Sequence, residues 1–277
     1  MGIHSYKPTT PGRRFASVVD YSELSKKRPE KSLIEPKRRR AGRNAQGKIT
    51  VRHHGGGHKK FYRIIDSLRE RFDQVATVRA IEYDPNRTAW IALVEYGDGE
   101  KRYIIAPTGL KAGDTVVSSK TKAEIKTGNR LPLDKIPVGV MVHDLQFKPE
   151  SKATIVRSAG SSALIQSVEG PFAQVKLPSG EIRMFVKECM ATIGQVSNID
   201  HANVRVGKAG KTRWRGVKPS VTGKSMNPVD HPHGGGEGHS PIGLKHPKTK
   251  WGKPAHGVKT RRSHHQSDKF IIKRRRG

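Results

Sequence analysis

The chain has 277 residues, a formal net charge of +30, 33% hydrophobic residues and a single cysteine, Cys189. One cysteine excludes an internal disulfide and a cysteine-rich zinc site. No apolar run reaches the roughly 18 residues that a membrane-spanning helix needs, and the first residues show no secretory signal, so we predict a cytoplasmic protein.

The positive charge is concentrated in the two flanks of the chain. Residues 1–60 contain 16 Lys and Arg against 4 Asp and Glu, and residues 201–277 contain 19 against 3. Residues 61–200 are nearly neutral, with 19 against 17. Flanks of this charge density bury little apolar surface, so we expect them to become ordered on nucleic acid. A membrane is disfavoured as the partner, because prolines and glycines interrupt any amphipathic basic helix.

Residues 1–60 are predicted to be a basic, extended N-terminal arm that ends near the triple glycine 55–57. Glycine permits positive φ and close backbone approach, so the polar residues beside it are candidate nucleic-acid contacts. These candidates are Arg52, His53, Lys59 and Lys60. The apolar anchors predicted for the arm are Tyr6, Phe15, Tyr21, Leu33 and Ile34.

Residues 61–125 are predicted to form a first small β-domain. Short apolar runs alternate there with turn signals such as Gly97-Asp98-Gly99, as strands and hairpins do. The predicted strands cover residues 61–66, 75–83, 89–96, 101–106 and 115–118. Five short strands at this spacing are typical of a small closed barrel, of which the oligonucleotide-binding (OB) fold is a common example.

Residues 126–200 are predicted to form a second β-domain, which follows a connector over residues 119–137. Its predicted strands cover residues 138–142, 153–157, 163–168, 172–177, 182–186 and 191–196. Pro178-Ser179-Gly180 marks a hairpin loop between two of them. Helical periodicity is nearly absent, so the predicted fold class is mainly β with two small barrels.

Residues 201–277 are predicted to be a basic C-terminal extension, rich in glycine and histidine and without strands. Its candidate nucleic-acid contacts are Lys208, Lys211, Arg213, Trp214, Arg215 and Trp251. The two tryptophans either pack locally against the barrels or stack on bases, which contributes roughly 1–3 kcal/mol per base. Residues 207–212 resemble the end of a nucleotide-binding P-loop, but Arg205 stands where that motif needs glycine, so we reject it.

A loop over residues 227–239 combines histidines, prolines, glycines and two carboxylates. Its candidate functional residues are Asp230, His231, His233, Gly234, Gly235 and Gly236. The glycines permit close backbone approach to a partner. A metal site is one alternative, although the histidine spacing matches no closed zinc pattern. A general base at His231 is another, although no nucleophile accompanies it. Contact with RNA bases is the commoner role for such histidines.

Several long motifs follow one another along the whole chain. They occupy residues 42–44, 49–58, 82–87, 103–107, 207–210, 227–238, 251–252 and 267–272. In these motifs the sequence resembles the bacterial form of the ribosomal protein L2 family, the second protein of the large ribosomal subunit. The resemblance implies an OB barrel followed by an SH3-like barrel, with extensions that thread into ribosomal RNA (rRNA).

The resemblance also implies a function and its residues. It implies a structural protein rather than an enzyme, without cofactor or metal, that binds large-subunit rRNA, supports subunit assembly and association, and lies near the peptidyl-transferase region. It assigns rRNA contacts to Arg87 and Arg157, and it places the histidine that the family associates with peptidyl transfer at His231, beside Asp230. The implied partners are rRNA, neighbouring ribosomal proteins, the small subunit at the intersubunit face and, indirectly, tRNA.

Two other classes of function stay open from the residues alone. One is a metal-dependent RNA-processing enzyme that uses the histidine cluster, which metal analysis and a cleavage assay would reveal. The other is a chromatin-like binder, which would prefer duplex DNA to folded rRNA at physiological salt.

Overall fold

The computed structural model of the chain describes residues 2–275. It is mainly β, as predicted, and the chain divides into two compact units. Among the described residues, the first unit contains residues 2–38, Lys59–Ala209 and residues 269–275. The second unit contains Arg39–His58 and Gly210–Asp268. Within residues 2–275, every helix is too short or too polar to cross a bilayer.

The first part of the N-terminal arm is folded rather than extended. Its strands are β1 (Ile3–Ser5), β2 (Ser17–Val19) and β3 (Ile34–Pro36), and helix α1 (Pro11–Arg14) lies between the first two. Strands β1 and β2 pair antiparallel. The prediction of Phe15 and Tyr21 as anchors is wrong, because their side chains are exposed. Val19 and Leu24 are buried instead and belong to the core of the first barrel.

The first barrel confirms the predicted strands, with ends that differ by a few residues. Its strands are β4 (Phe61–Arg63), β5 (Val75–Glu82), β6 (Ile91–Tyr96), β7 (Lys101–Ile105) and β8 (Thr115–Val117). Strand β4 pairs with β3, and the other four form a sheet in the order β7-β6-β5-β8. Inward-facing residues alternate along β5 and β6 and surround Trp90, which fills the core with Val78, Val94 and Val116.

The second barrel has more strands than predicted. They are β9 (Arg130–Pro132), β10 (Met141–His143), β11 (Leu145–Gln146), β12 (Ala153–Ile155), β13 (Ala163–Glu169), β14 (Phe172–Lys176), β15 (Ile182–Val186) and β16 (Met190–Ile193). The main sheet has the order β17-β15-β14-β13-β10-β16-β9, where β17 is Ile271–Lys273, and β11 pairs with β12. Helix α2 (Ala209–Trp214) lies between β16 and β17 in the chain.

Two predictions about this barrel are wrong. Residues 119–137 are not only a connector, because β9 lies within them and pairs with β16. The C-terminal extension is not free of strands, because β17 pairs with β15 at the edge of the sheet. Leu131 is fully buried in β9, and Ile271 is half-buried in β17. All three residues of β9 are buried, whereas β17 has only the half-buried Ile271. A short strand can therefore join an existing edge with little apolar burial of its own, because cross-strand contacts supply the remaining stabilisation.

The two barrels contact each other directly within the first unit. Val196 packs with Ala89 and Ile105 in a small apolar cluster. Backbone hydrogen bonds support this contact, since Thr108 N donates to Gln195 O at 2.8 Å. The limits predicted for the four segments of the chain, at residues 60, 125 and 200, stay a prediction.

Candidate nucleic-acid interface

The second unit joins two basic, glycine-rich segments that are far apart in sequence. Residues 52–58 and 213–218, which we call the paired basic segments, run antiparallel and share backbone hydrogen bonds. Gly55 N donates to Gly216 O at 2.8 Å, and two further bonds of 2.9 Å flank it. The sequence offered no sign of this pairing, because neither segment has a strand pattern.

Gly57 marks the closest approach of the two segments. A Cβ atom at this position would lie 2.7 Å from Gly216 N and 2.8 Å from Trp214 O. Both contacts are with backbone, which cannot swing away as a flexible side chain can, so only glycine allows the pairing. The Trp214 ring is 48% exposed beside it, with its centroid 5.9 Å from that of His58.

Cationic side chains surround the paired basic segments. Arg52, Arg213 and Arg215 are exposed, and His53 and Lys211 are half-buried. All five were predicted as nucleic-acid contacts, and the fold places them in one unit. Guanidinium groups presented from a rigid backbone suit bidentate contact with phosphate.

Trp251 lies at the tip of a tight hairpin in the same unit. Lys248 and Pro254 form the antiparallel bridge that closes the hairpin. The indole is 69% exposed, so it is not packed away in a core. The Arg52 guanidinium lies 5.6 Å from the ring centroid and Lys250 Nζ lies 4.8 Å from it, which are cation–π distances. The arrangement combines an aromatic surface with two cations.

The loop over residues 227–239 is held in shape by its own backbone. Asp230 N donates to Asn227 O at 3.0 Å, and Gly235 N donates to Met226 O at 3.1 Å. The first bond closes a turn over residues 227–230, and the second joins residue 235 back to the start of the loop. The loop is therefore structured without a regular element, as the sequence predicted.

The glycines of this loop allow close packing within the loop itself, and their predicted approach to a partner stays a prediction. A Cβ atom at Gly234 would lie 2.2 Å from Asn227 O, and one at Gly235 would lie 2.7 Å from Pro228 Cγ. Gly235 and Gly236 both have φ of +85°, which favours glycine. The space that a side chain would need is already filled by neighbouring residues of the loop.

The histidines of the loop bind backbone groups. His231 Nδ1 accepts a hydrogen bond from His233 N at 3.0 Å, and His233 Nε2 accepts one from Lys248 N at 2.9 Å. The ring of His231 packs directly on Gly223, where a Cβ atom would lie 2.4 Å from it. Among the hydrogen bonds and ion pairs of the described residues, none joins His231 to Asp230.

Arg87 is held by a turn that a buried carboxylate organises. Arg87 Nε donates to Asp84 Oδ2 at 2.6 Å, and the Asp84 side chain is fully buried. Asp84 Oδ1 accepts from Asn86 N at 2.8 Å, and Lys60 Nζ donates to Pro85 O at 3.0 Å. The bond through Nε fixes the guanidinium plane and leaves its two terminal nitrogens for another acceptor.

Arg157 is fixed at the junction of the two barrels. Its Nη2 donates to Ser67 Oγ at 3.0 Å. Its Nε lies 3.0 Å from Asp144 Oδ1 as an ion pair, although the two atoms are not aligned for a hydrogen bond. The other oxygen of Asp144 accepts from Arg130 Nη1 at 3.2 Å. One carboxylate thus lies between two guanidiniums.

Sequence reasoning missed this buried cluster of charges. Arg69, Arg130, His143 and Asp144 are all buried at the junction. Burial, and then the charge of Arg130, lowers the pKa of Arg69 to about 10. Burial also lowers the pKa of His143 to about 4. Residues 69, 130 and 144 have no common spacing, so only the tertiary fold reveals that they meet.

The remaining predicted contacts lie in the first unit. Lys59 Nζ lies 5.9 Å from the Phe61 ring centroid. The side chain of Lys208 lies along Gly12, where a Cβ atom would be 3.3 Å from its Cδ. The first unit thus holds Arg87, Arg157, Lys59, Lys60 and Lys208. The second holds Arg52, His53, Lys211, Arg213, Trp214, Arg215, Trp251, Asp230, His231, His233, Gly234, Gly235 and Gly236.

The histidine cluster does not converge with other metal-ligating groups. Across residues 2–275, no three His, Cys, Asp or Glu side chains come close enough together to hold a metal ion.

Two protein-family models match the sequence. The model described as Ribosomal Proteins L2, RNA binding N-terminal domain, matches residues 30–118. The model described as Ribosomal Proteins L2, C-terminal domain, matches residues 126–252. The first match includes the first barrel and part of the N-terminal arm, and the second includes the second barrel and the loop over residues 227–239.

Proposed function

The chain belongs to the ribosomal protein L2 family, and from that premise we propose how it holds rRNA. Membership makes it a structural constituent of the large ribosomal subunit that binds rRNA within the ribosome. The first barrel is OB-like and the second is SH3-like, so the predicted fold class is confirmed.

The paired basic segments are the principal rRNA contact. The observation that carries this assignment is their backbone pairing at Gly57, which fixes exposed arginines on a rigid frame. Arg52, Arg213 and Arg215 bind phosphates, while Trp251 offers a ring to a base or ribose. Lys211 and His53 support the same surface.

Arg87 and Arg157 bind rRNA from the barrels. Each guanidinium is oriented by a buried carboxylate, Asp84 or Asp144, and retains a terminal nitrogen for phosphate. Such preorientation reduces the entropy that an arginine loses when it binds. Contacts from both barrels favour early binding during assembly, because neither arginine has to be reoriented first.

The loop over residues 227–239 shapes rRNA near the peptidyl-transferase region without transferring protons. The support is that His231 Nδ1 already accepts the His233 N–H, and that no carboxylate orients the ring in the described structure. The protein therefore acts as a scaffold and not as an enzyme. It also supports subunit association through contact with the small subunit, touches neighbouring ribosomal proteins and affects tRNA only indirectly, in cytoplasmic ribosomes.

The proposed division of the chain follows these roles. Residues 61–125 and 126–200 dock as folded barrels. Residues 1–60 and 201–277 supply the extensions that penetrate rRNA, although the first part of the N-terminal extension packs on the barrels.

The substitution Gly57→Ala tests the principal contact. The added methyl group meets backbone at 2.7 Å, so the paired basic segments must separate. Overpacking of this kind costs about 1–3 kcal/mol, and we expect affinity for large-subunit rRNA to fall by roughly tenfold to a hundredfold. Filter binding with the complete chain and an rRNA transcript measures this change.

Gly97→Ala is the matched control for this experiment. Gly97 lies outside the paired basic segments, its Cβ atom would meet nothing within 4 Å, and its φ is not positive. This variant should bind the rRNA within about twofold of the unchanged protein. Equal rRNA affinity of Gly57→Ala and the unchanged protein would rule out the paired basic segments as the principal contact.

A further inference from the structure

A groove in the first unit has the opposite electrostatic character to the rest of the protein. It has a volume of about 660 Å³. Its apolar surface comes from Leu68, Phe72, Pro132, Pro149 and Met190. Glu70, Asp134, Glu150 and Glu188 surround that surface, with Lys120 as the only cation among the lining residues. The volume is in the range of pockets that enclose a ligand or several side chains.

The carboxylates of the groove are exposed and mostly uncompensated. Asp134 pairs with Lys135 at 3.3 Å. Within residues 2–275, no ion pair joins Glu70, Glu150 or Glu188 to a cation. In a chain with 54 Lys and Arg, three free carboxylates around one apolar surface are a local reversal of charge. Phosphate would be repelled there, so the groove is not part of the rRNA contact.

One cation already binds inside the groove. Lys120 Nζ lies 4.7 Å from the centroid of the Phe72 ring, which is a cation–π contact. The ring therefore has an electrostatic preference for a positive group on its face. A lysine or arginine of another molecule would meet the same kind of ring face, apolar surface and surrounding carboxylates.

We propose that this groove docks an extended, lysine- and arginine-rich segment of a second protein, with an apolar side chain of that segment on Phe72 and Met190. The carboxylates of the groove attract the basic residues of the segment, and the apolar surface accommodates the apolar side chain between them. Docking in this groove does not depend on which residues contact rRNA, so either proposal can be wrong while the other holds.

Fluorescence anisotropy with a labelled peptide that alternates arginine and leucine tests this docking. The protein is the complete chain, and the comparison peptide carries glutamate in place of arginine. The double substitution Glu70→Gln with Glu188→Gln should weaken binding of the arginine peptide by about tenfold, because it removes two of the unpaired carboxylates that would attract the arginines. The glutamate peptide should not bind.

Glu169→Gln with Asp200→Asn is the matched control, since it removes the same charge at residues outside the groove. This variant should bind the arginine peptide as the unchanged protein does. Equal weakening in both double variants, or absence of binding to the unchanged protein, would overturn the proposal. Self-association that disappears only in the Glu70 and Glu188 variant would also overturn it, because a second copy would then be the occupant. The rRNA affinity of both variants should stay within about twofold of the unchanged protein.

Discussion

Replacing Asp144 by asparagine should lower the free energy of unfolding by about 3–5 kcal/mol, because removal of one partner leaves buried charges uncompensated. Asp144 is the carboxylate between Arg130 and Arg157, and Arg130 is fully buried. Arg69, whose pKa burial lowers, adds a further positive charge nearby. Asparagine has almost the same shape as aspartate, so the loss reports charge rather than volume. Urea denaturation of the complete chain, followed by fluorescence of the buried Trp90, measures it.

Asp134→Asn provides the control for this measurement. Its ion pair with Lys135 at 3.3 Å is partly exposed, so its loss should change stability by no more than about 1 kcal/mol. If Asp144→Asn were as mild as Asp134→Asn, the junction of the barrels would not depend on its carboxylate.

Acidification should destabilise the first unit through His143. Burial lowers the pKa of His143 to about 4, and its Nδ1–H donates to Gly194 O at 2.9 Å. The surrounding charges are Asp144, Arg69 and Arg130. In the unfolded chain the histidine takes up a proton near its ordinary pKa of about 6.5. Between these two pH values, residue 143 is protonated only in the unfolded state. The stability that depends on neutral His143 is therefore fully present above pH 6.5 and is lost as the pH falls towards 4.

The expected loss over this interval is about 3 kcal/mol, since each pH unit with one proton of difference contributes about 1.4 kcal/mol. Unfolding curves between pH 7 and 4.5 measure this loss. The substitution His143→Asn keeps a donor for Gly194 O but removes the titrating group. It should therefore reduce the dependence of the free energy of unfolding on pH by the equivalent of one proton. NMR titration of the unchanged protein is independent of that variant. A His143 resonance that titrates near pH 6.5 in the folded state would contradict the prediction.

The sequence predicted those parts of the fold that local patterns determine. Alternation of apolar residues identified β5 and β6, and the turn at residues 97–99 identified the hairpin between β6 and β7. Strand β17 was missed because Ile271 and Ile272 make a strand only by pairing with β15. The predicted anchors failed for a related reason, since aromatic size at Phe15 did not indicate which face of the arm meets the barrel.

The candidate site was predictable as a set of residue types but not as an arrangement. The basic residues beside glycines were identified from composition, yet the close contact of Gly57 with Gly216 depends on two segments that are distant in sequence. The same holds for Asp144, whose role arises only where the two barrels meet. Gly234 shows a role that composition did not indicate, because its lack of a side chain lets the loop close on Asn227 O.

The salt dependence of rRNA binding tests the central claim, that the second unit binds rRNA through arginines on the paired basic segments. The variant replaces Arg52, Arg213 and Arg215 by glutamine, and the control replaces the exposed Lys111, Lys122 and Lys176 of the barrels in the same way. Each phosphate contact contributes about 0.7–0.9 to the slope of log affinity against log salt, so the arginine variant should lose about 2–3 from that slope. The lysine variant should keep its slope nearly unchanged. Equal slopes in the arginine variant and the unchanged protein would contradict the claim.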